Sequence, residues 1–206
     1  LAAQGIHTDF IHLPEGNSRI NVKVKHGDET EINGQGPVIT EEAINELFFF
    51  LATLTKEDIL VLAGSIPNTL PEDIYEKILA SLESKGIRVV VDATKDLLLN
   101  VLKYHPFLIK PNNHELGEMF GTVCKTDEDI VHYAKKLQEK GAVNVLISMA
   151  GDGAILITED GQNIKMGTPK GKVVNSVGAG DSMVAGFITG YIRGGNYEEA
   201  LKSGTA

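Results

Sequence analysis

Apolar and polar residues alternate in the first part of the chain, between about residue 8 and residue 33. Alternation with a period of two is typical of strands that have one buried face. In the segment 19–25, for example, positions 20, 22 and 24 are apolar and the positions between them are polar. The pattern predicts a small antiparallel sheet with one polar face, built from residues 9–13, 19–25 and 29–32. So small a sheet must pack against another surface to be stable.

From Pro37 onwards, short apolar runs alternate with longer segments of helical period. The helical segments carry end signals: Thr40 is a candidate N-cap, Pro71 stands in a first turn, and Gly86 follows a last turn. The apolar runs predict buried strands at residues 58–63, 87–91, 107–109, 143–147 and 154–158. Strands that alternate with helices predict an α/β fold, with a mostly parallel sheet and helices on both faces.

We therefore expect two domains, a small β domain at residues 1–36 and an α/β core at residues 37–206. The first five residues read as the last turn of a helix, and residues 198–206 stop inside a helical pattern. Both observations predict that the chain is truncated at its two ends.

The composition limits the classes of partner. Of the 206 residues 42% are hydrophobic, and 19 basic residues against 28 acidic ones give a net charge of −9. An acidic chain without a basic block disfavours nucleic acid and anionic membranes as partners. No apolar run is long enough to span a bilayer, the N-terminus lacks a signal-peptide pattern, and Cys124 has no second cysteine to pair with. We expect a cytoplasmic protein that holds any phosphate through loops.

A glycine-rich turn opens an apolar helix near the C-terminal end, in the segment Val177-Gly178-Ala179-Gly180-Asp181-Ser182. Free backbone amides of Gly178, Ala179 and Gly180 at the positive end of the helix dipole would form a site for an anion. Asp181 in the first turn could accept a proton from an attacking hydroxyl. An anion site beside a base suits phosphoryl transfer to an alcohol. The alternative interpretation is a tight turn followed by a helix cap.

Polar residues follow other predicted strands, where ligands of open α/β sheets bind. Lys110-Pro111-Asn112 follows residues 107–109, and Glu115 comes three residues after Asn112. An amide and a carboxylate at a helix start suit Mg²⁺ held through water, but the same spacing is typical of a capping box, and both can hold at once.

Two further segments follow predicted strands, and each of them allows two interpretations. Ser148 to Gly153, with Gly151 between them, follows residues 143–147 and suits either a hairpin turn or a nucleotide contact. Asp92 follows residues 87–91 and suits either an active-site carboxylate or a helix cap.

Together these segments resemble the ribokinase-like sugar kinases, and within them the phosphofructokinase B family. The resemblance is carried by Lys110-Pro111-Asn112-x-x-Glu115, Ser148-x-x-Gly151-x-Gly153 and Val177 to Ser182, in this order and with domain-like spacing. Ser18 to Lys23 is similar to a strand of the phosphosugar-specific members, and Glu29 to Pro37 looks most like the 1-phosphofructokinase branch.

The resemblance implies a role for each of these residues. Asp181 would deprotonate the 6-hydroxyl of fructose 1-phosphate, and Gly178, Ala179 and Gly180 would stabilise the transferring phosphoryl group of ATP. Asn112 and Glu115 would organise Mg²⁺ through water. The residues expected beside ATP are Lys110, Asn112, Ser148, Gly151, Gly153, Asn175 and Ser176. The resemblance also allows a monovalent cation as a further cofactor.

The resemblance assigns the small sheet as a β lid. Arg19 and Lys23 on its polar face would hold the phosphate already present on the sugar, and lids of two chains would pack together in a homodimer. The family's first strand with its sugar-binding aspartate, its Gly-Gly-Lys-Gly segment and its last helix are not found here. The product would be fructose 1,6-bisphosphate. A tagatose-6-phosphate kinase and an inactive truncated nucleotide-binding fragment are the alternatives.

Overall fold

The computed structural model describes residues 1–26, 28–64, 66–173 and 175–206. The chain forms two compact units, one made of residues 1–55 and 66–86 and the other of residues 56–65 and 87–206. These units do not coincide with the expected boundary after residue 36, which stays a prediction. Among the described residues no helix has the length and apolar character needed to cross a membrane.

The first unit contains the predicted small sheet. Strands β1 (Asn21–His26) and β2 (Asp28–Asn33) pair antiparallel, with Val22 opposite Ile32. The strand predicted at residues 9–13 is wrong, because this segment pairs with no other described strand. Alternation indicates an extended chain, but a strand also needs a neighbour to bond with. The apolar face of the sheet is open to solvent: Ile32 is 60% exposed and Val22 46%.

Two helices complete this unit. Helix α1 (Glu41–Thr53) starts as predicted, since the amide of Ala43 donates to Oγ1 of Thr40 at 3.3 Å. Helix α2 (Ile74–Leu82) begins three residues after Pro71 and continues as a 3₁₀ turn (Glu83–Lys85) up to Gly86. Gly86 has a φ of 68°, the left-handed conformation expected of a C-cap glycine. The Lys85 ammonium donates to the Leu54 carbonyl at 3.1 Å, which ties the end of α2 to the end of α1.

The second unit is built on a six-stranded sheet in the order β3-β4-β5-β6-β7-β8. Its strands are β3 (Ile59–Ala63), β4 (Arg88–Asp92), β5 (Leu108–Ile109), β6 (Asn144–Ser148), β7 (Ala154–Ile157) and β8 (Asn163–Met166). Three of the five strand pairings, from β3 to β6, are parallel, and the β6–β7 and β7–β8 pairings are antiparallel, which confirms a mostly parallel sheet. Strand β8 was not predicted. It is four residues long and half exposed, so it leaves little periodic signal.

Helices cover both faces of this sheet, as predicted. They are α3 (Lys95–Val101), α4 (Asn113–Met119), α5 (Asp127–Glu139), α6 (Ala179–Gly194) and α7 (Tyr197–Thr205). Leu108 and Leu146 pack with Phe187 of α6 and Leu201 of α7 in one core. Alternate strand residues point to the opposite face. On that opposite face Ile109 of β5 is fully buried, as are Val145 and Ile147 of β6, and α5 contacts β6 and β7.

Candidate active site

The parallel strands β4, β5 and β6 bring three polar side chains to one edge of the sheet. Asp92 ends β4, Lys110 follows β5 and Ser148 ends β6. Pro111 extends the ladder, because its carbonyl accepts a hydrogen bond from the Ser148 amide at 3.2 Å. Asn112 then pairs with Ser148 in an isolated parallel bridge. These residues therefore lie where ligands bind in open α/β sheets.

The glycine-rich turn forms the start of α6. Gly178 is the N-cap and has a φ of 80°, a conformation that L side chains rarely adopt, so this position favours glycine. The amides of Gly178, Gly180 and Asp181 have no acceptor among the described residues. The Ala179 amide, by contrast, donates to the Ser176 carbonyl at 3.1 Å. The prediction that the Ala179 amide is free is wrong, because this amide closes the turn by donating to the Ser176 carbonyl.

Asp181 is the third residue of α6, and its side chain is exposed. It makes no hydrogen bond or ion pair with any residue that the structure describes. Asp181 is nevertheless close enough to Asp92 for the two charges to repel. The carboxylate is therefore open to solvent, and it belongs to the same helix turn as the donor amides.

Lys110 and Asp92 form a pair that the sequence did not reveal. The Lys110 ammonium lies 3.1 Å from Oδ2 of Asp92, and the two side chains are only 8% and 19% exposed. Burial raises the pKa of Asp92, the charge and hydrogen bond of Lys110 oppose the rise, and repulsion from Asp181 adds to it. The carboxylate of Asp92 is thus an ion-pair partner, while Thr94 holds the N-cap position of α3. Strand register was the missing signal, because Val91 and Ile109 are partners in the ladder.

The same ammonium also lies against the start of α6. A Cβ added to Gly180 would come 3.2 Å from Nζ of Lys110 and 3.8 Å from its Cε. Lys110 thus has the backbone of Gly180 on one side and the carboxylate of Asp92 on another. Its expected place beside the nucleotide phosphates stays a prediction.

Asn112 and Glu115 form the capping box that their spacing indicates. Oδ1 of Asn112 accepts from the amides of His114 at 2.9 Å and Glu115 at 2.8 Å, and Oε2 of Glu115 accepts from the Asn112 amide at 2.8 Å. The other carboxylate oxygen of Glu115 has no partner among the described residues. Among the residues that the structure describes, no group of three or more histidine, cysteine, aspartate or glutamate side chains is arranged to hold a metal ion. One uncommitted oxygen at a helix start fits Mg²⁺ held through water.

The segment from Ser148 to Gly153 is the hairpin turn between β6 and β7, which confirms one of its two readings. Gly153 has a φ of 90°, and a Cβ there would lie 2.0 Å from the Met166 carbonyl oxygen. Its glycine is therefore required by packing. The carbonyl of Gly151 accepts a hydrogen bond from Oγ1 of Thr168 at 2.9 Å. Nucleotide contact by Ser148, Gly151 and Gly153 stays a prediction.

The remaining candidates lie in exposed or less completely described segments. Asn175 and Ser176 are exposed, and Oδ1 of Asn175 accepts from the Val177 amide at 3.0 Å, which shapes the approach to the turn. Arg19 is partly exposed and precedes β1 in the first unit. The side chain of Lys23 lies outside the described residues. The predicted roles of all four residues stay predictions.

Comparison with known proteins bears on the whole chain. Residues 1–206 match the pfkB family of carbohydrate kinases. Over 204 residues the chain is 50% identical to the 1-phosphofructokinase of Bacillus subtilis (strain 168), covering 99% of this chain and 67% of that protein. Over 207 residues it is 35% identical to the D-tagatose-1-phosphate kinase of Bacillus licheniformis, covering 100% of this chain and 67% of that protein.

A solved structure gives the same result for the fold. The crystal structure of a provisionally named phosphofructokinase from Staphylococcus aureus superposes with a TM-score of 0.87 at 44% identity. The match covers 99% of this chain and 66% of that one, so the chain spans about two thirds of the length of the relatives it matches. The ribokinase-like fold class expected from the sequence is confirmed. The chain belongs to the pfkB family of carbohydrate kinases.

Proposed function

We propose that the full-length protein transfers the γ-phosphoryl group of ATP to the 6-hydroxyl of fructose 1-phosphate. The observation that carries the proposal is that the exposed carboxylate of Asp181 and the uncommitted amides of Gly178 and Gly180 belong to the same first turn of α6, at the carboxyl edge of a parallel sheet. The 50% sequence identity to the 1-phosphofructokinase of Bacillus subtilis, over 99% of this chain, supports fructose 1-phosphate as the substrate.

The chemistry is an in-line displacement. The oxygen of the sugar 6-hydroxyl attacks the γ-phosphorus, the bond from that phosphorus to the β–γ bridging oxygen breaks, and ADP leaves. Asp181 accepts the hydroxyl proton, which makes the oxygen a better nucleophile. The amides of Gly178 and Gly180 donate to the phosphoryl oxygens, where they stabilise the negative charge. No phosphoenzyme is needed, so the products are fructose 1,6-bisphosphate and ADP.

The remaining residues bind and orient. Asn112 and Glu115 would hold Mg²⁺ through water, and the ion supplies positive charge that neutralises the phosphates of ATP. The exposed turn residues Asn175 and Ser176 would border the nucleotide, together with the hairpin turn from Ser148 to Gly153. Arg19 and Lys23 would bind the phosphate at C1 of the sugar.

The β lid would also form a homodimer interface. Its open apolar face carries Ile20, Val22, Val24 and Ile32, which are between 45% and 72% exposed. Two such faces packed together would remove this apolar surface from water. An Ile32→Lys variant should weaken the dimer when molar mass is measured by light scattering. An unchanged dimer would exclude this face as the interface.

Asp181→Asn tests the proposed chemistry. The change keeps the size of the side chain but removes the base, so kcat should fall by about 100-fold or more while ATP binding survives. The control is Asp96→Asn, which alters another exposed aspartate in the first turn of a helix of the same unit and should leave kcat unchanged. Near-normal turnover of Asp181→Asn would remove Asp181 from the mechanism.

Glu115→Gln separates the cap of α4 from the binding of Mg²⁺. Glutamine can take the third position of a capping box, so thermal stability should be nearly unchanged. Loss of the carboxylate should raise the Mg²⁺ concentration for half-maximal activity by about 10-fold. An unchanged Mg²⁺ dependence would leave Glu115 with its structural role alone.

A tagatose phosphate is the second candidate substrate. The sequence left tagatose 6-phosphate open, and the 35% identical relative from Bacillus licheniformis is a D-tagatose-1-phosphate kinase. Steady-state kinetics with fructose 1-phosphate, tagatose 1-phosphate and tagatose 6-phosphate compare the candidates directly. The proposal requires the highest kcat/KM for fructose 1-phosphate.

A further inference from the structure

We propose that Thr168 is a positioning residue that holds the turn between β6 and β7 in the conformation that receives ATP. Thr168 lies two residues after β8 and outside the three motifs that carry the family resemblance, so the sequence predicted no role for it. The inference rests on the proposed function for the identity of the ligand. The hydrogen bond that ties Thr168 to the turn does not depend on any substrate.

The turn from Met149 to Gly153 carries two amides that can serve a ligand. Within the turn, the Met149 amide donates to the Gly153 carbonyl at 2.8 Å, and the Gly153 amide donates to the Ala150 carbonyl at 3.2 Å. The amides of Ala150 and Gly151, by contrast, have no acceptor among the residues that the structure describes. Successive uncommitted amides in a turn suit an anionic group such as a phosphate.

The backbone of this turn is strained at Ala150. Its φ of 48° lies in the left-handed region, where the Cβ of an L residue comes too close to the backbone. A residue keeps such a conformation only when the contacts around it impose it. The orientation of the two uncommitted amides therefore depends on supports that come from outside the turn.

The chain at the end of β8 supplies two such supports. A Cβ at Gly153 would lie 2.0 Å from the Met166 carbonyl oxygen and 2.6 Å from Cα of Gly167, so the two backbones are in direct contact. The hydroxyl of Thr168 donates to the Gly151 carbonyl at 2.9 Å, across 17 residues of sequence. The first support is made by main-chain atoms, whereas the second depends on a single side-chain hydroxyl.

Loss of this hydroxyl should make the turn adopt its binding conformation less often. The apparent Kd of a ligand rises in proportion as the conformation that binds it becomes rarer. Thr168→Val removes the hydroxyl and keeps the shape of the side chain, whereas Thr168→Ser keeps the hydroxyl. We expect the Kd for ATP to rise about 3- to 10-fold in Thr168→Val, which is the effect of one lost hydrogen bond, and to stay close to wild type in Thr168→Ser.

Calorimetric titration with ATP and steady-state kinetics, both on the full-length protein, measure this effect. The KM for ATP should rise with the Kd, while kcat and the KM for fructose 1-phosphate should change by less than about twofold. Thr189→Val is the matched control: Thr189 is also exposed, and its hydroxyl donates to the Ala185 carbonyl at 2.7 Å within α6. Wild-type ATP affinity in Thr168→Val would overturn the proposal, and so would an equal loss of affinity in Thr168→Ser.

Hydrogen exchange in the ATP-free protein separates positioning from a direct contact between Thr168 and ATP. Positioning predicts that exchange over residues 149–153 is at least about threefold faster in Thr168→Val, because the bonded amides of the turn open more often. Exchange there in Thr189→Val should match wild type. A direct contact alone would weaken ATP binding and leave this exchange unchanged, which contradicts the positioning role. If the wild type does not phosphorylate fructose 1-phosphate, the proposed function fails, while ATP titration and hydrogen exchange still decide the role of Thr168.

Discussion

Gly186→Ala in the middle of α6 is expected to destabilise the protein, although alanine is the better helix former. The backbone of α6 lies close to that of α7 at this point: a Cβ on Gly186 would be 2.3 Å from the Ser203 carbonyl oxygen and 3.0 Å from Cα of Gly204. Both neighbours are main-chain atoms, so no side chain can move aside. Alanine can be accommodated only if the two helices separate.

The net effect follows from two opposing terms. Overpacking costs about 1–3 kcal/mol, and replacing glycine inside a helix gains roughly 0.5–1 kcal/mol. The difference between these ranges is about 0–2.5 kcal/mol. Because the neighbours are main-chain atoms that cannot move aside, we expect a loss in the upper part of that range, about 1–2 kcal/mol in the free energy of unfolding. For a chain of this size such a loss lowers the Tm by about 2–8 °C. Because α6 carries Asp181 in its first turn, kcat should fall as well.

Thermal unfolding followed by circular dichroism measures this effect, and Gly194→Ala provides a matched control. Gly194 is the last residue of the same helix, and a Cβ there would have nothing within 4 Å. The control should be neutral or slightly stabilising. If Gly186→Ala proves as stable as Gly194→Ala, the close approach of α6 and α7 is wrong.

Three further predictions concern other parts of the chain. Arg19→Ala should raise the KM for the phosphosugar by about 10-fold with little change in kcat, since a charge-assisted contact to phosphate is lost; an unchanged KM in steady-state assays would leave that residue a structural role. Asn144→Leu should lower the free energy of unfolding in urea by about 1–3 kcal/mol, because its buried side chain bonds the Phe107 carbonyl and the Glu159 amide, each at 2.9 Å. Hydrogen bonds from the Lys125 and Thr126 amides lower the pKa of Asp129. Its stabilising effect is therefore present above the ordinary aspartate pKa and lost as the pH falls, so Asp129→Asn should flatten the pH dependence of stability between about pH 5 and pH 3.

Local rules predicted the helix ends well, because caps depend on a few neighbouring residues. Thr40, Gly86 and the Asn112–Glu115 box all behave as their positions indicate. Strand pairing was harder to predict, since it depends on partners distant in the sequence. Residues 9–13 alternate but pair with no described strand, whereas β8 pairs with β7 despite a weak pattern. The Asp92–Lys110 pair was missed for the same reason, because it exists only through the register of β4 and β5.

Several motif residues are needed for the fold itself, independently of any substrate. The presence of the motif alone is therefore not evidence of catalytic function. At position 153 only glycine fits, because a Cβ would clash with the Met166 carbonyl. Asn112 caps α4, and Lys110 neutralises Asp92. Asp181 differs from all three, because its side chain has no bonding partner in the described part of the chain and is open to solvent. The helix dipole is a structural reason for an acidic residue in the first turn of α6. Proton transfer is a second reason, because it uses a carboxylate that makes no hydrogen bond or ion pair with any described residue, and for this residue the sequence pattern and the geometry both favour chemistry.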